Sequence, residues 1–236
     1  MQTLVFWIIF RLLTSALTTL VSYYHPLTAL EKSIPLLPLS VFDPTWYKRA
    51  FLLPWWRWDV VWYQQILENG YNAIDGTAQF HPLYPWLASI FYAIGFHPIF
   101  SLLLISSLGS LGFVCVYYKL ARLDMSDSDA RFSLLLMLLA PAAFILFAPY
   151  SEALFLLCAA SSIYYCRRQR WWLAGLFGAL ATLTRQQGLL LFYPLAWEMW
   201  ETTLRTWSQF KSNWKKILSL IIIPVSYACW ILFRNL

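Results

Sequence analysis

The sequence predicts an all-α, polytopic membrane protein, and three observations carry that prediction. Hydrophobic residues make up 60% of the 236, charged residues only 12%, and mean hydropathy is +0.58, a balance that leaves too little polar surface for a soluble domain. Several windows approach the roughly 20 apolar residues that cross a hydrocarbon core of about 30 Å. No strand-like alternation runs through them, so a transmembrane barrel is excluded and helices must satisfy the backbone in lipid.

The net charge of +6 is not a nucleic-acid footprint. Basic residues stand singly or in short runs between apolar spans, where they set orientation. Cys115, Cys158, Cys166 and Cys229 lie in or at the ends of apolar spans without CxxC spacing, and His25, His81 and His97 are scattered. Neither a metal site nor a disulfide framework is expected. No glycine-rich phosphate loop occurs, and no cofactor is expected.

Element by element, the chain reads as one membrane domain over 1–236: a first span (1–23), a long first loop on the non-cytoplasmic side (24–98) and the remaining spans (99–236). The first span runs from about Leu4 to Tyr23, with Arg11 placed to snorkel towards an interface. No small-residue cleavage site follows, so it is an anchor and not a removed signal. The loop from Tyr24 to Phe80 is rich in Pro, Trp and charge, and its tryptophans hold it at headgroup level. Within it, Trp58 to Glu68 forms a short interfacial helix that Asn69-Gly70 stops. His81 to Gly95 is too short to span and reads as interfacial or re-entrant.

Ile99 to Lys119 is a span whose Ser106, Gly109, Ser110 and Gly112 permit close helix contact. Phe132 to Ala148 and Ser151 to Cys166 are two further spans joined by a tight turn at Pro149. Trp171 to about Trp200 is broken by the polar run Thr184-Arg185-Gln186-Gln187-Gly188, and Ile217 to Phe233 is the last span. The basic residues of Lys119–Arg131 and Arg167–Arg170 place those loops on the cytoplasmic side, which puts Asp59 and Glu152 together on the opposite side.

Charge near hydrocarbon is costly unless it serves a purpose, which singles out a few residues. Asp59, among tryptophans at a membrane edge, is the leading catalytic candidate: a carboxylate there can take a proton from an attacking hydroxyl. The alternative is a solvated loop carboxylate paired with Arg57 or Lys48. Arg57 suits a phosphate through its two parallel donors, or anchors the loop at the headgroups. Glu152 either contacts substrate or favours the positive end of a helix dipole. Arg185, flanked by apolar residues, grips an anion, pairs with a buried carboxylate or snorkels. His81 can hydrogen-bond a leaving phosphate or be structural.

Five motifs stand in order: Arg57-Trp58-Asp59-x-x-Trp62-Tyr63, Glu68-Asn69-Gly70-Tyr71, His81-Pro82-Leu83-Tyr84-Pro85, Ala148-Pro149-Tyr150-Ser151-Glu152-Ala153-Leu154-Phe155, and Ala181-Thr182-Leu183-Thr184-Arg185-Gln186-Gln187-Gly188. Together they resemble the PIG-V type of mannosyltransferase, the family of GPI mannosyltransferase 2 and its bacterial relatives within the membrane-embedded GT-C glycosyltransferases. The resemblance implies a polyprenyl-phosphate sugar donor (dolichyl-phosphate mannose in eukaryotes), a lipid-linked or glycolipid acceptor, and a loop aspartate after the first span as the essential carboxylate. Asp59 takes that role by position. Arg57, His81, Glu152, Arg185, Trp62 and Tyr84 are the implied substrate contacts.

His81 stands where phenylalanine is expected, and Arg185-Gln186-Gln187-Gly188 replaces the commoner Arg-Ser-Asn-Gly. Family members continue through further spans, so this chain is expected to be their N-terminal catalytic part, with a partner membrane subunit as one source of the remaining spans. The implied location is the endoplasmic reticulum membrane in a eukaryote and the plasma membrane in a bacterium. Rival readings are a transporter or flippase for a lipid-linked sugar, and a non-catalytic or truncated subunit that binds a partner through the small-residue face of Ile99–Lys119.

Overall fold

A computed structural model describes residues 2–25 and 52–234. Most of the Pro- and Trp-rich part of the first loop, including Lys48, lies outside the described residues. The α-helices are α1 (Gln2–Tyr24), α2 (Asp59–Asn69), α3 (Leu83–Ala93), α4 (Pro98–Ala121), α5 (Asp127–Leu139), α6 (Glu152–Arg167), α7 (Trp171–Thr184), α8 (Phe192–Met199) and α9 (Trp207–Arg234). Among the described residues, three helical segments are long and apolar enough to cross a membrane: Gln2–Tyr24, Pro98–Ala121 and Lys211–Arg234. The chain is therefore a membrane protein.

A continuous packing line runs from α4 to α6, from α6 to α7 and from α7 to α9, with α1 and α3 laid against α4. Small residues make the close approaches. A Cβ on Gly109 would come within 2.9 Å of the Leu154 backbone nitrogen, and one on Gly175 would lie 1.6 Å from the Ser219 carbonyl oxygen. The small-residue face of α4 is thus occupied by α6 of the same chain, which removes it as a docking face for a partner subunit. α1 contributes no buried residue and is peripheral. It is pinned by Trp7, whose Nε1 donates to Ser110 Oγ at 2.8 Å.

Arg11 does not snorkel. Its guanidinium turns inward, donates to the Phe147 carbonyl and sits 6.0 Å from the Trp55 ring centroid. That carbonyl belongs to a second departure from expectation. The stretch 132–148 is not one helix: α5 ends at Leu139, Ala140 turns to φ −59 and ψ 137, and Pro141–Leu146 forms a 3-10 turn. Pro141 has no N–H to offer and disfavours a helical residue before it, so the α-helix stops there. Non-helical backbone at membrane depth needs partners from elsewhere in the protein, and Arg11 supplies one.

The break after Thr184 matches the polar interruption in the sequence. α7 stops at Thr184, Arg185 is extended, and Gln186–Leu191 forms a 3-10 turn before α8. The short helix of the first loop also occurs, ended by Gly70 at φ +79, a conformation glycine adopts without penalty.

All these elements share two ends. At one, Arg167 holds Asp124 through two hydrogen bonds of 2.7 and 3.0 Å, and Arg131 bonds Asp127 and Gln2. At the other lie the start of α2, the start of α6 and the ends of α7 and α9.

The α7–α9 contact can be tested directly. Gly175→Ala should lower the thermal unfolding midpoint in detergent, since overpacking costs about 1–3 kcal/mol. Gly112→Ala should cost less, because its Cβ meets only the flexible end of Leu157. An unchanged midpoint for Gly175→Ala would contradict the packing described.

Candidate active site

Asp59 owes its placement to a strained residue. Trp58 holds φ +50 and ψ −124, a region that costs a bulky residue on the order of 1–3 kcal/mol. The turn it makes starts α2 at Asp59, whose carboxylate then sits at the partly positive N-terminus of that helix. α2 is fixed from behind by Val60, Tyr63 and Ile66 in the core. Trp56 Nε1 adds a hydrogen bond to Gln64 Oε1 at 2.9 Å. Among the described residues, no ion pair or hydrogen bond engages the Asp59 carboxylate, so pairing with Arg57 is not seen.

Arg185 is displayed by the break after α7. A Cβ on Gly188 would fall 2.2 Å from the Thr182 backbone nitrogen, so only glycine lets the 3-10 turn fold back on the last turn of α7. The Arg185 guanidinium then reaches Glu152 at 2.6 Å and Ser151 Oγ at 3.2 Å. Glu152 begins α6 at the end of the Pro149 turn. That turn is held by Ser106 Oγ, which donates to the Tyr150 carbonyl at 3.0 Å. The second Glu152 oxygen, Oε2, is buried with no partner among the described residues.

His81 precedes α3. Its ring stacks on Tyr227 at 6.1 Å and leans on Trp230 at 6.0 Å, both from α9, and its buried Nδ1 has no hydrogen-bond partner among the described residues. Burial pushes its pKa below the ordinary 6.5. The Thr182 carbonyl opposes that shift, while the charges of Arg234 and Arg185 add to it. The imidazole is therefore neutral near pH 7.

These parts line one polar cavity of about 390 Å³, whose walls include Asp59, Tyr63, His81, Ser151, Arg185 and Arg234. Burial raises the Tyr63 phenol well above its usual range, with Ser151 opposing and the charges of Asp59 and Glu152 reinforcing. Tyr63 stays a neutral hydroxyl. Among the described residues, no group of three or more His, Cys, Asp and Glu that could hold a metal occurs.

Three candidates lie elsewhere. Arg57 faces the other side of the loop and lines a separate apolar cavity of about 330 Å³ between α1 and the Tyr150 turn. Trp62 stacks on Phe80 at 6.0 Å, outside the polar cavity. Tyr84 is fully buried and uses its hydroxyl on the Leu102 carbonyl and Ser106 Oγ, at 3.0 and 2.8 Å. It locks α3 to α4 and is not a cavity wall. Conversely, the sequence motifs do not include Arg234. The available signal was its position, a lone cation at the end of the last span opposite the basic loops.

A family model described as mannosyltransferase (PIG-V) matches residues 1–235. No curated protein and no solved structure matches the chain.

The neutral His81 has a consequence for acid stability. A histidine whose folded pKa is depressed contributes stability that is present above its unfolded pKa of about 6.5 and lost as pH falls towards the folded value. His81→Phe should flatten the decline in thermal midpoint below pH 6.5. Identical pH profiles for the two proteins would remove His81 as the cause.

Proposed function

The chain belongs to the PIG-V mannosyltransferase family, and from that membership and the geometry of the cavity we propose a GT-C-type, multi-pass enzyme that moves mannose from a polyprenyl-phosphate sugar. The donor is dolichyl-phosphate mannose in a eukaryote. The acceptor is a hydroxyl on a lipid-linked or membrane-proximal glycolipid, a GPI precursor in the eukaryotic case. The observation that carries the reading is a carboxylate that forms no ion pair among the described residues, facing cations and a neutral imidazole across one polar cavity.

Asp59 takes the proton of the acceptor hydroxyl as its oxygen attacks the anomeric carbon. The bond from that carbon to the donor phosphate breaks in the same in-line displacement, so configuration inverts and the lipid phosphate leaves. Cationic and hydrogen-bonding groups stabilise the departing charge in a site shielded from bulk water. In this reading His81 and Arg185 serve that role, and Glu152 positions Arg185. Arg57 lies beside the neighbouring apolar cavity, where it meets a lipid chain or headgroup.

Asp59→Asn deletes the base with almost no change in volume. It should leave the amount of protein in the membrane unchanged and lower mannosyl transfer from polyprenyl-phosphate mannose by about a hundredfold or more. A variant that keeps over about a tenth of the parent rate is incompatible with this role.

The cavity end is proposed to face the non-cytoplasmic side, of the endoplasmic reticulum or of the bacterial plasma membrane, because the basic loops gather at the other end. Cysteines introduced at Asn72 and Gln169, in a chain with Cys229 replaced by serine, should react with an impermeant maleimide from opposite faces. Labelling of both from one face would overturn the orientation.

A further inference from the structure

Resting on the lipid-phosphate donor proposed above, we infer that Arg234 is the principal charge that holds the donor phosphate, with Arg185 already committed to Glu152. A balance of charge around the cavity leads there. Arg185 and Glu152 meet at 2.6 Å and largely cancel, and His81 is kept neutral. Among the described lining residues, what remains is Asp59 on one element and Arg234 on another. An entering anion is repelled by the first and drawn to the second.

The way α9 reaches the cavity supports the same assignment. Tyr227, Trp230 and Arg234 recur at helical spacing and so share one side of α9. The first two are packed on His81, so the contact that seats His81 also sets the rotation of α9 that brings Arg234 to the cavity wall. Trp230 is only 2% exposed and stacks on Phe233 at 5.7 Å, which fixes the last turn. Among the described residues, Arg234 enters no ion pair.

The two arginines of the cavity wall differ in what holds them. Replacing Arg185 strips Glu152 of its counter-charge and disturbs the fold of the break. Replacing Arg234 removes an anion contact from a helix end that stays folded through its aromatic packing.

The test uses the full chain purified in detergent, with farnesyl phosphate as a short polyprenyl monophosphate probe and farnesol as its uncharged counterpart. Binding is read as the concentration that half-saturates the rise in thermal midpoint. The parent should respond to farnesyl phosphate at a lower concentration than to farnesol. Arg234→Gln should need about tenfold more farnesyl phosphate, as expected for loss of one charge-assisted contact, with its unliganded midpoint and farnesol response unchanged. Arg234→Lys should recover most of the affinity. If Arg234→Gln binds farnesyl phosphate like the parent, the inference is overturned while the donor reading stands. If the parent itself shows no preference for the phosphate, the donor reading falls and takes the role of Arg234 with it.

Discussion

The ion pair between Glu152 and Arg185 joins the two places where this helical chain stops being helical near its site. One is the stretch from the Pro141 turn to the start of α6; the other is the extended residue and 3-10 turn after α7. Each break keeps short 3-10 bonds such as Ala143 N–H to the Ala140 carbonyl and Gly188 N–H to the Arg185 carbonyl, and lipid offers no partners for the groups left over. α6 has 16 residues and α7 has 14, which makes them about 24 and 21 Å long at 1.5 Å per residue, shorter than a hydrocarbon core. The recess left at their ends is the polar cavity. Without the pair, one carboxylate and one guanidinium would stand uncompensated in its wall, a cost far larger than the net gain from any surface pair.

Much of this was legible in the sequence because the relevant signals are local. The stop at Asn69-Gly70, the short helix before it and the break at Thr184–Gly188 follow from glycine and from polar residues interrupting apolar runs. The convergence of Asp59, His81 and Arg185 was legible only as a set of motifs, and the fold brings those three to one cavity.

What was not legible depends on contacts distant in sequence. Tyr84 sits in a motif and has the chemistry of a substrate contact, yet its hydroxyl is used on a carbonyl and a serine of α4. A buried tyrosine needs a partner whether it faces a ligand or a neighbouring helix, so residue type cannot separate the two. Arg11 looked like a snorkelling cation because its partner, the Phe147 carbonyl, exists only where the chain leaves the α-helix 136 residues later. Arg234 stands alone at the end of an apolar span, and only the packing of His81 on α9 brings it into the same cavity.

The two acidic residues then divide along physical lines. Both charges reach the phenols of Tyr63 and Tyr150, so they share one small region, but their partners differ. Glu152 is paired with the Arg185 guanidinium. Among the described residues, Asp59 meets a helix N-terminus and a strained backbone, and both orient it without occupying its oxygens. Environments that push two nearby carboxylates into different roles are how a site separates structural charge from reactive charge. A glycosyltransferase that uses a single displacement needs one base with free lone pairs and a rigid, charge-balanced wall behind it. The strain at Trp58 therefore serves the proposed chemistry, because a relaxed turn there would let Asp59 rotate towards a cation and lose its availability as a base.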